Sequence, residues 1–207
     1  MDGARNWAYC ENLSYLSKLF LDHKYLGFSI DLFLFYVLCK KDEQGFHIAG
    51  YFSKSRSPED LHNLSCILVL PFYQKQGLGK FLINFSYALS EIEKKIGTPE
   101  KPLSDLGKKG YLSYWSERLL RWMINNPERI QNITILDISK NTYVKEEDVV
   151  MTLEHLNIFK RIGGKMYFCT DADHLKALYE KMRKCIPVNK NNIHWIPYHN
   201  KYGEIGP

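Results

Sequence analysis

The sequence predicts an α/β fold: a mixed sheet core followed by a helical segment that carries a small β-wing. Three observations lead there. Two aromatic and apolar runs, Phe33 to Cys39 and Phe46 to Phe52, flank the polar stretch Lys40-Lys41-Asp42-Glu43-Gln44-Gly45 and read as a hairpin. A further apolar run, Cys66-Ile67-Leu68-Val69-Leu70, passes through a glycine-containing loop into apolar residues at helical spacing. Beyond Pro127 the pattern changes to short helical stretches around a Gly163-Gly164 turn.

Taken in chain order, Asn12 is expected to cap a helix bearing Leu13, Leu16, Leu19 and Phe20. The hairpin follows, and a loop from Ser53 to Asp60 leads to a third strand over Asn63 to Leu70. Leu78, Phe81, Leu82, Phe85, Leu89 and Ile92 then mark one face of a helix. Gly97 to Pro102 is a rigid turn around Glu100. A long helix runs from about Ser104 to Asn125, buries Tyr111, Tyr114, Trp115, Leu119, Trp122 and Met123, and ends before Pro127. Ile138-Ser139-Lys140 and Val144 precede a helix over Glu146 to Leu156 with an acidic first turn. Two short strands meet at Gly163-Gly164, and Asp171 to Cys185 forms a last helix. The boundaries expected are 1–126 for the core and 127–207 for a winged-helix-like segment of the same domain.

Gln74-Lys75-Gln76-Gly77-Leu78-Gly79-Lys80 is the stretch with most chemistry in it. A strand, a glycine turn and a helix start aim backbone N–H groups at one point at the positive end of the helix, which suits a phosphate. Two nucleotide loops are excluded by counting. A Walker loop needs glycine where this chain has Gln74, and a hydroxyl where it has Phe81. A dinucleotide fingerprint needs glycine where it has Leu82. What remains resembles the pyrophosphate loop of acetyl-CoA-dependent N-acetyltransferases, with a plain glycine turn as the alternative.

Composition sets outer bounds. Of 207 residues, 45% are hydrophobic, enough for a packed core, and the formal net charge is +5. The charge is spread: 16 basic and 13 acidic residues in 1–126, 12 and 10 in 127–207. That argues against direct nucleic-acid binding, because no basic patch is concentrated anywhere. No apolar stretch reaches transmembrane length and Met1-Asp2-Gly3-Ala4-Arg5 opens no signal peptide, so a soluble protein is expected, with no membrane partner. Five separated cysteines, Cys10, Cys39, Cys66, Cys169 and Cys185, read as reduced thiols of an intracellular protein. His62 and Cys66 lack two further local ligands, and no metal site is expected.

A series of segments extends the loop's resemblance. Tyr9-Cys10-Glu11-Asn12-Leu13, Leu19-Phe20-Leu21-Asp22-His23-Lys24, Asn63-Leu64-Ser65-Cys66-Ile67-Leu68, Gln74 to Lys80, and Thr98-Pro99-Glu100-Lys101-Pro102-Leu103-Ser104-Asp105-Leu106-Gly107 occur in that order. Ile138-Ser139-Lys140 and Glu146-Glu147-Asp148 follow. The series resembles the catalytic domain of MYST-family histone acetyltransferases, from about residue 6 into the C-terminal region. The resemblance implies an acetyl-CoA N-acyltransferase-like mixed sheet and a nuclear enzyme. It implies transfer of acetyl from acetyl-CoA to lysines of histone tails, H4 foremost, within a multiprotein chromatin-modifying complex.

Site residues follow from the same resemblance. Glu100 is the general base, which the chemistry requires because a lysine amine is protonated near neutral pH. Between Pro99 and Pro102 and among apolar elements, its pKa is expected to rise. Cys66 faces the acetyl group, either as a covalent acceptor or as a pocket wall; an apolar strand disfavours its thiolate and favours the wall. The backbone of Ile67, Leu68 and Val69 is expected to bond the pantetheine arm. Gln74, Lys75, Gln76, Gly77, Leu78, Gly79 and Lys80 are expected to hold the pyrophosphate, and Ser104 and Ser113 to touch the cofactor. Lys24 corresponds to the lysine that autoacetylates.

Three departures qualify the match. Lys75 stands where the family has arginine and lacks its bidentate fork, and Leu78 stands where it has an aromatic residue. The chain also begins after the zinc finger that opens the family's catalytic domains, which would expose a sheet edge. These departures keep a second reading open, an acetyl-CoA-binding, catalytically weak scaffold subunit of a chromatin complex. A third, a DNA-binding winged helix, needs basic clustering that the sequence does not have.

Overall fold

The computed structural model describes residues 1–19, 30–57, 61–130, 133–163, 165–168 and 171–196. Its centre is a three-stranded antiparallel sheet in the order β1-β2-β4, where β1 is Phe33–Asp42, β2 is Gly45–Ser55 and β4 is Ile67–Val69. The hairpin is tighter and longer than its apolar runs, with Asp42 opposite Gly45. The Asp42 carboxylate accepts from the amides of Gln44 (2.8 Å) and Gly45 (3.2 Å), a local turn that fixes the register.

The two faces of the sheet bury different helices, as the period-2 alternation of strands requires. Phe35, Tyr51 and Leu68 cover one face and meet Cys10 and Leu13 of α1, Trp7–Lys18. The Tyr51 hydroxyl donates to Leu13 O at 2.8 Å, which locks the helix to the strand. Tyr36 and Phe52, stacked with centroids 4.6 Å apart, cover the other face and meet Phe85 of α2, Leu78–Glu93. The first helix starts a turn and a half before the expected Asn12. Asn6 is its N-cap residue, because Cys10 is buried in phase with Leu13 and extends the apolar stripe backward.

The expected single strand over Asn63 to Leu70 is two. β3, His62–Leu64, pairs in parallel with β5, Thr98–Pro99, whereas β4 pairs with β2. Between them the Ser65 amide donates to Ser53 O (2.7 Å) and the Ser53 amide donates to Cys66 O (2.9 Å). Two residues thus oppose one, a β-bulge that bends the chain at Cys66.

Ser104 caps the long helix α3, Asp105–Asn125, by accepting from the Gly107 amide at 3.1 Å. Tyr111, Tyr114, Trp115, Leu119 and Met123 are buried as expected, and Trp122 is half-buried. Helix α4, Ile135–Thr142, was not expected; Thr134 and Asp137 form a capping box at its start. Helix α5, Glu146–His155, is followed by the antiparallel pair β6, Phe159–Ile162, and β7, Lys165–Phe168, and then by α6, Ala172–Glu180. One apolar cluster runs from Phe52 and Leu64 through Trp115 to Val149, Leu153 and Leu175. The helices after Pro127 therefore pack into the same core as the sheet.

The last helix is shorter than expected because residues after Glu180 leave it to run along α2. Arg183 donates to Lys75 O (3.1 Å), Asn84 donates to Ile186 O (3.2 Å), Lys190 pairs with Glu91, and the Lys54 ammonium that binds Glu93 (2.6 Å) lies over the Trp195 ring. The strap spans α2 from its glycine loop to its last turn. Among the described residues, no helix is long and apolar enough to cross a membrane.

Candidate active site

Four elements meet at the candidate site: the bulge at Cys66, the strand β4, the glycine loop at the start of α2, and the turn that carries Glu100. In β4 the hydrogen-bonding alternation is set by the Leu70 amide, which donates to Ala49 O at 2.9 Å, and by Cys66 O. Leu68 therefore turns its backbone inward to Tyr51, and Ile67 and Val69 turn theirs to the open edge. Of the three residues expected to bond an extended ligand, Leu68 is directed away from that edge. Val69 O accepts from Gln74 Nε2 at 3.0 Å, so Ile67 offers the less occupied backbone.

The loop is held in shape by its own glutamines. Gln74 reaches back to Val69, Gln76 Nε2 donates to Phe72 O (3.1 Å), and Lys40 donates to Gln76 Oε1 (2.6 Å). Lys75 and Gly77 both adopt left-handed backbone, with φ of 59° and 87°. That conformation suits glycine at 77 and lets the chain turn sharply into α2. The helix start has no side-chain cap bond and no acidic residue in its first turn. Its leading amides and its positive dipole end are thus available to an anion, and the loop fits a pyrophosphate-bearing co-substrate such as acetyl-CoA.

The Lys80 side chain, among the expected phosphate contacts, is engaged within the chain. Its ammonium sits 2.9 Å from Glu117 Oε2, 3.1 Å from Ser113 Oγ and 2.8 Å from Arg183 O. An ammonium has three N–H donors, and these three acceptors use them. Ser113, expected to touch the cofactor, accepts from Lys80. Ser104, also expected to touch the cofactor, is exposed and accepts from the Gly107 amide as the α3 cap. Cations beside the loop include Lys40, which is bonded to Gln76, Lys75, which is exposed, and Arg183, whose Nη2 lies 3.8 Å from the place a Cβ on Gly77 would take. No local signal pointed to Arg183, since only tertiary packing brings the strap to the loop. Glu117 also accepts from the Cys185 amide at 2.7 Å. Burial, with the Glu117 carboxylate second, pushes the Cys185 thiol up to about 11.

Glu100 follows β5 and donates its amide to Leu64 O at 2.9 Å, two residues before Cys66. Parallel pairing of β3 and β5 thus brings the two expected catalytic residues to neighbouring strand ends. Cys66 is half-buried at the bulge, its amide donating to Ser53 Oγ at 3.2 Å. The Glu100 side chain is exposed, not enclosed by apolar elements as expected, because the preceding residues Thr98 and Pro99 are the ones buried in the core. The Lys101–Pro102 peptide is cis. Lys101 lies 3.0 Å from Asp148 Oδ1 and 3.6 Å from Glu147. Partial burial draws the Lys101 pKa down, but bonding to Asp148 outweighs it and holds the ammonium above its ordinary value. Lys24 lies outside the described residues. Among the described residues, no three His, Cys, Asp or Glu side chains are placed to hold a metal ion.

A mixed sheet with a bulged strand, an uncapped glycine loop at a helix start and a carboxylate on the adjoining turn define an acetyltransferase-type α/β domain. The MOZ/SAS family pattern matches residues 1–194. The chain is 46% identical to histone acetyltransferase of the MYST family 2 from Arabidopsis thaliana, over 96% of this chain and 44% of that protein. It is 46% identical to the histone acetyltransferase Tip60 homolog of Caenorhabditis elegans, over 99% of this chain and 45% of that protein. With human histone acetyltransferase KAT6B the identity is 42% over 95% of this chain and 10% of that protein. The chain belongs to the MOZ/SAS (MYST) family, and it spans less than half the length of these relatives.

Proposed function

We propose that this chain is a protein-lysine acetyltransferase that moves the acetyl group of acetyl-CoA to lysines of histone tails, the H4 tail foremost, with Glu100 as general base. The observation that supports it is the placement of Glu100. Its side chain is exposed to an incoming lysine while its amide is fixed to Leu64, at the end of the strand that leads into Cys66.

The chain's residues divide the work. Ile67 and the leading amides of α2, with Gly77 and Gly79 permitting close approach, bind the co-substrate; Lys75 supplies charge. Acetyl-CoA supplies the thioester carbon that the amine attacks, with the coenzyme thiol as leaving group. Glu100 takes one proton from the lysine ammonium, which exposes the nitrogen lone pair. Cys66 lines the acetyl pocket as a wall. In this reading 1–126 forms the cofactor-binding core and 127–207 a winged-helix-like buttress of the same domain. Lys24 is the site of autoacetylation, and the chain works in the nucleus with other subunits of a chromatin complex.

The test is to incubate the chain with labelled acetyl-CoA and an H4 tail peptide, beside Glu100→Gln. Transfer by the wild type well above that of the variant is the expected result. Equal rates would remove the base, and cofactor binding with no transfer in either would leave the scaffold reading.

A further inference from the structure

The turn that carries Glu100 is clamped on both sides by one buried carboxylate on another helix. Asp148, the third residue of α5, has no solvent exposure. Its Oδ2 accepts from the Thr98 hydroxyl at 2.6 Å, and its Oδ1 lies 3.0 Å from the Lys101 ammonium. Thr98 stands two residues before Glu100 and Lys101 one residue after it. The backbone of the same stretch is tied as well. Gly97 exchanges bonds with Tyr143 O (2.9 Å) and the Lys145 amide (3.2 Å), just ahead of α5, and the Thr98 amide donates to Leu61 O at 3.2 Å. Between these tethers the Glu100 residue is exposed.

A buried carboxylate is expensive to desolvate, and hydrophobic residues of the same volume would commonly stabilise the fold as well or better. Its position in the first turn of α5 offsets part of that cost, since the helix dipole favours an anion there. Two arms reaching the flanks of one exposed glutamate are what a positional constraint needs. We propose that Asp148 is a positioning residue for Glu100, holding the turn through Thr98 and Lys101 so that the carboxylate meets the substrate lysine at a fixed distance. The inference rests on the general-base reading of Glu100. It adds α5 to the machinery of proton transfer.

The test is a double-mutant cycle read in steady-state kinetics on the full chain, with acetyl-CoA and H4 tail peptide. Asp148→Asn keeps the volume and one acceptor but loses the charge that holds Lys101. Thr98→Val cuts the other arm, leaves the Asp148–Lys101 ion pair intact, and serves if Asp148→Asn does not fold. Misplacing a catalytic group by about 1 Å costs on the order of 100-fold. The expected result is kcat lowered about 10- to 100-fold per folded molecule, well below the melting temperature, with KM for acetyl-CoA unchanged. In a Glu100→Gln background the same substitutions should lower kcat no further, because there is no base left to position. A wild-type kcat in Thr98→Val and Asp148→Asn, with only the melting temperature lowered, overturns the positioning role while leaving Glu100 as base. An equal loss with and without Glu100 overturns it too. A Glu100→Gln enzyme as fast as wild type would instead remove the base itself.

Discussion

Lys80 and Glu117 form an ion pair of 2.9 Å with side chains only 10% and 5% exposed, and it lies under the strap where Cys185 crosses α2. The lysine that closes the glycine loop is thus part of the interior. Removing one partner of a buried pair leaves the other charge uncompensated, at about 3–5 kcal/mol. Glu117→Ala should lower unfolding free energy by that order in urea titration. Lys80→Met should destabilise the chain too, yet leave the salt dependence of acetyl-CoA binding as it is in the wild type. A flattened salt dependence would place Lys80 on the phosphates.

Gly77 is the position where backbone conformation alone decides the outcome. A Cβ there meets nothing closer than 3.8 Å, so Gly77→Ala is not a steric clash, but φ is 87°. Left-handed backbone costs a residue with Cβ about 1–2 kcal/mol. The variant should lose that much stability, or relax the turn and bind acetyl-CoA more weakly. Calorimetric titration beside a urea melt separates the two.

Glu91 gives the fold an acid limit. Burial pushes its pKa up, but the Arg118 guanidinium and the Lys190 ammonium outweigh this and hold it below the ordinary 4.5. A lowered carboxylate contributes stability that is complete above its unfolded value and is lost as pH falls through the folded one. The melting-temperature gap between wild type and Glu91→Gln should therefore be constant down to about pH 5 and close below 4.5. A gap that widens on acidification would contradict the pairing.

Thiol reactivity should rank by burial and charge. Cys39 is exposed, Cys10 is fully buried with its pKa raised by desolvation, and Cys185 is pushed up to about 11. Iodoacetamide near pH 8 should label Cys39 well before Cys10 or Cys185, because the thiolate is the nucleophile. Peptide mass mapping over time reads this directly.

The hairpin and α2 were legible because their signals are local: alternation, turn residues, and apolar spacing. The split between β3 and β4 was not, since Asn63 to Leu70 is one continuous run and only Ser53 on one side and Pro99 on the other divide it. The start of α1 lies earlier than the cap preference of Asn12 suggests, because Cys10 stands in phase with Leu13. The capping box of Thr134 and Asp137 is legible as a threonine three residues before an aspartate. Glu100 came from a family resemblance, because a glutamate between two prolines has no chemistry of its own. Asp148 read as one acid of an acidic first turn. Its sharing a helix face with Val149, Thr152 and Leu153, all buried, was the signal that it turned inward. The true engagement of Lys80 had no signal, because Glu117 and Arg183 reach it from other elements.

The strap from Arg183 to Trp195 touches α2 at the glycine loop, at Asn84 and at Glu91. One end therefore reports on the other. By reciprocity of linked equilibria, a ligand that rigidifies the loop raises the free energy of peeling the strap away, and a strap that is peeled away weakens the ligand by the same factor. Under the proposed function, acetyl-CoA at the loop should therefore slow amide exchange near residue 190, a helix length away.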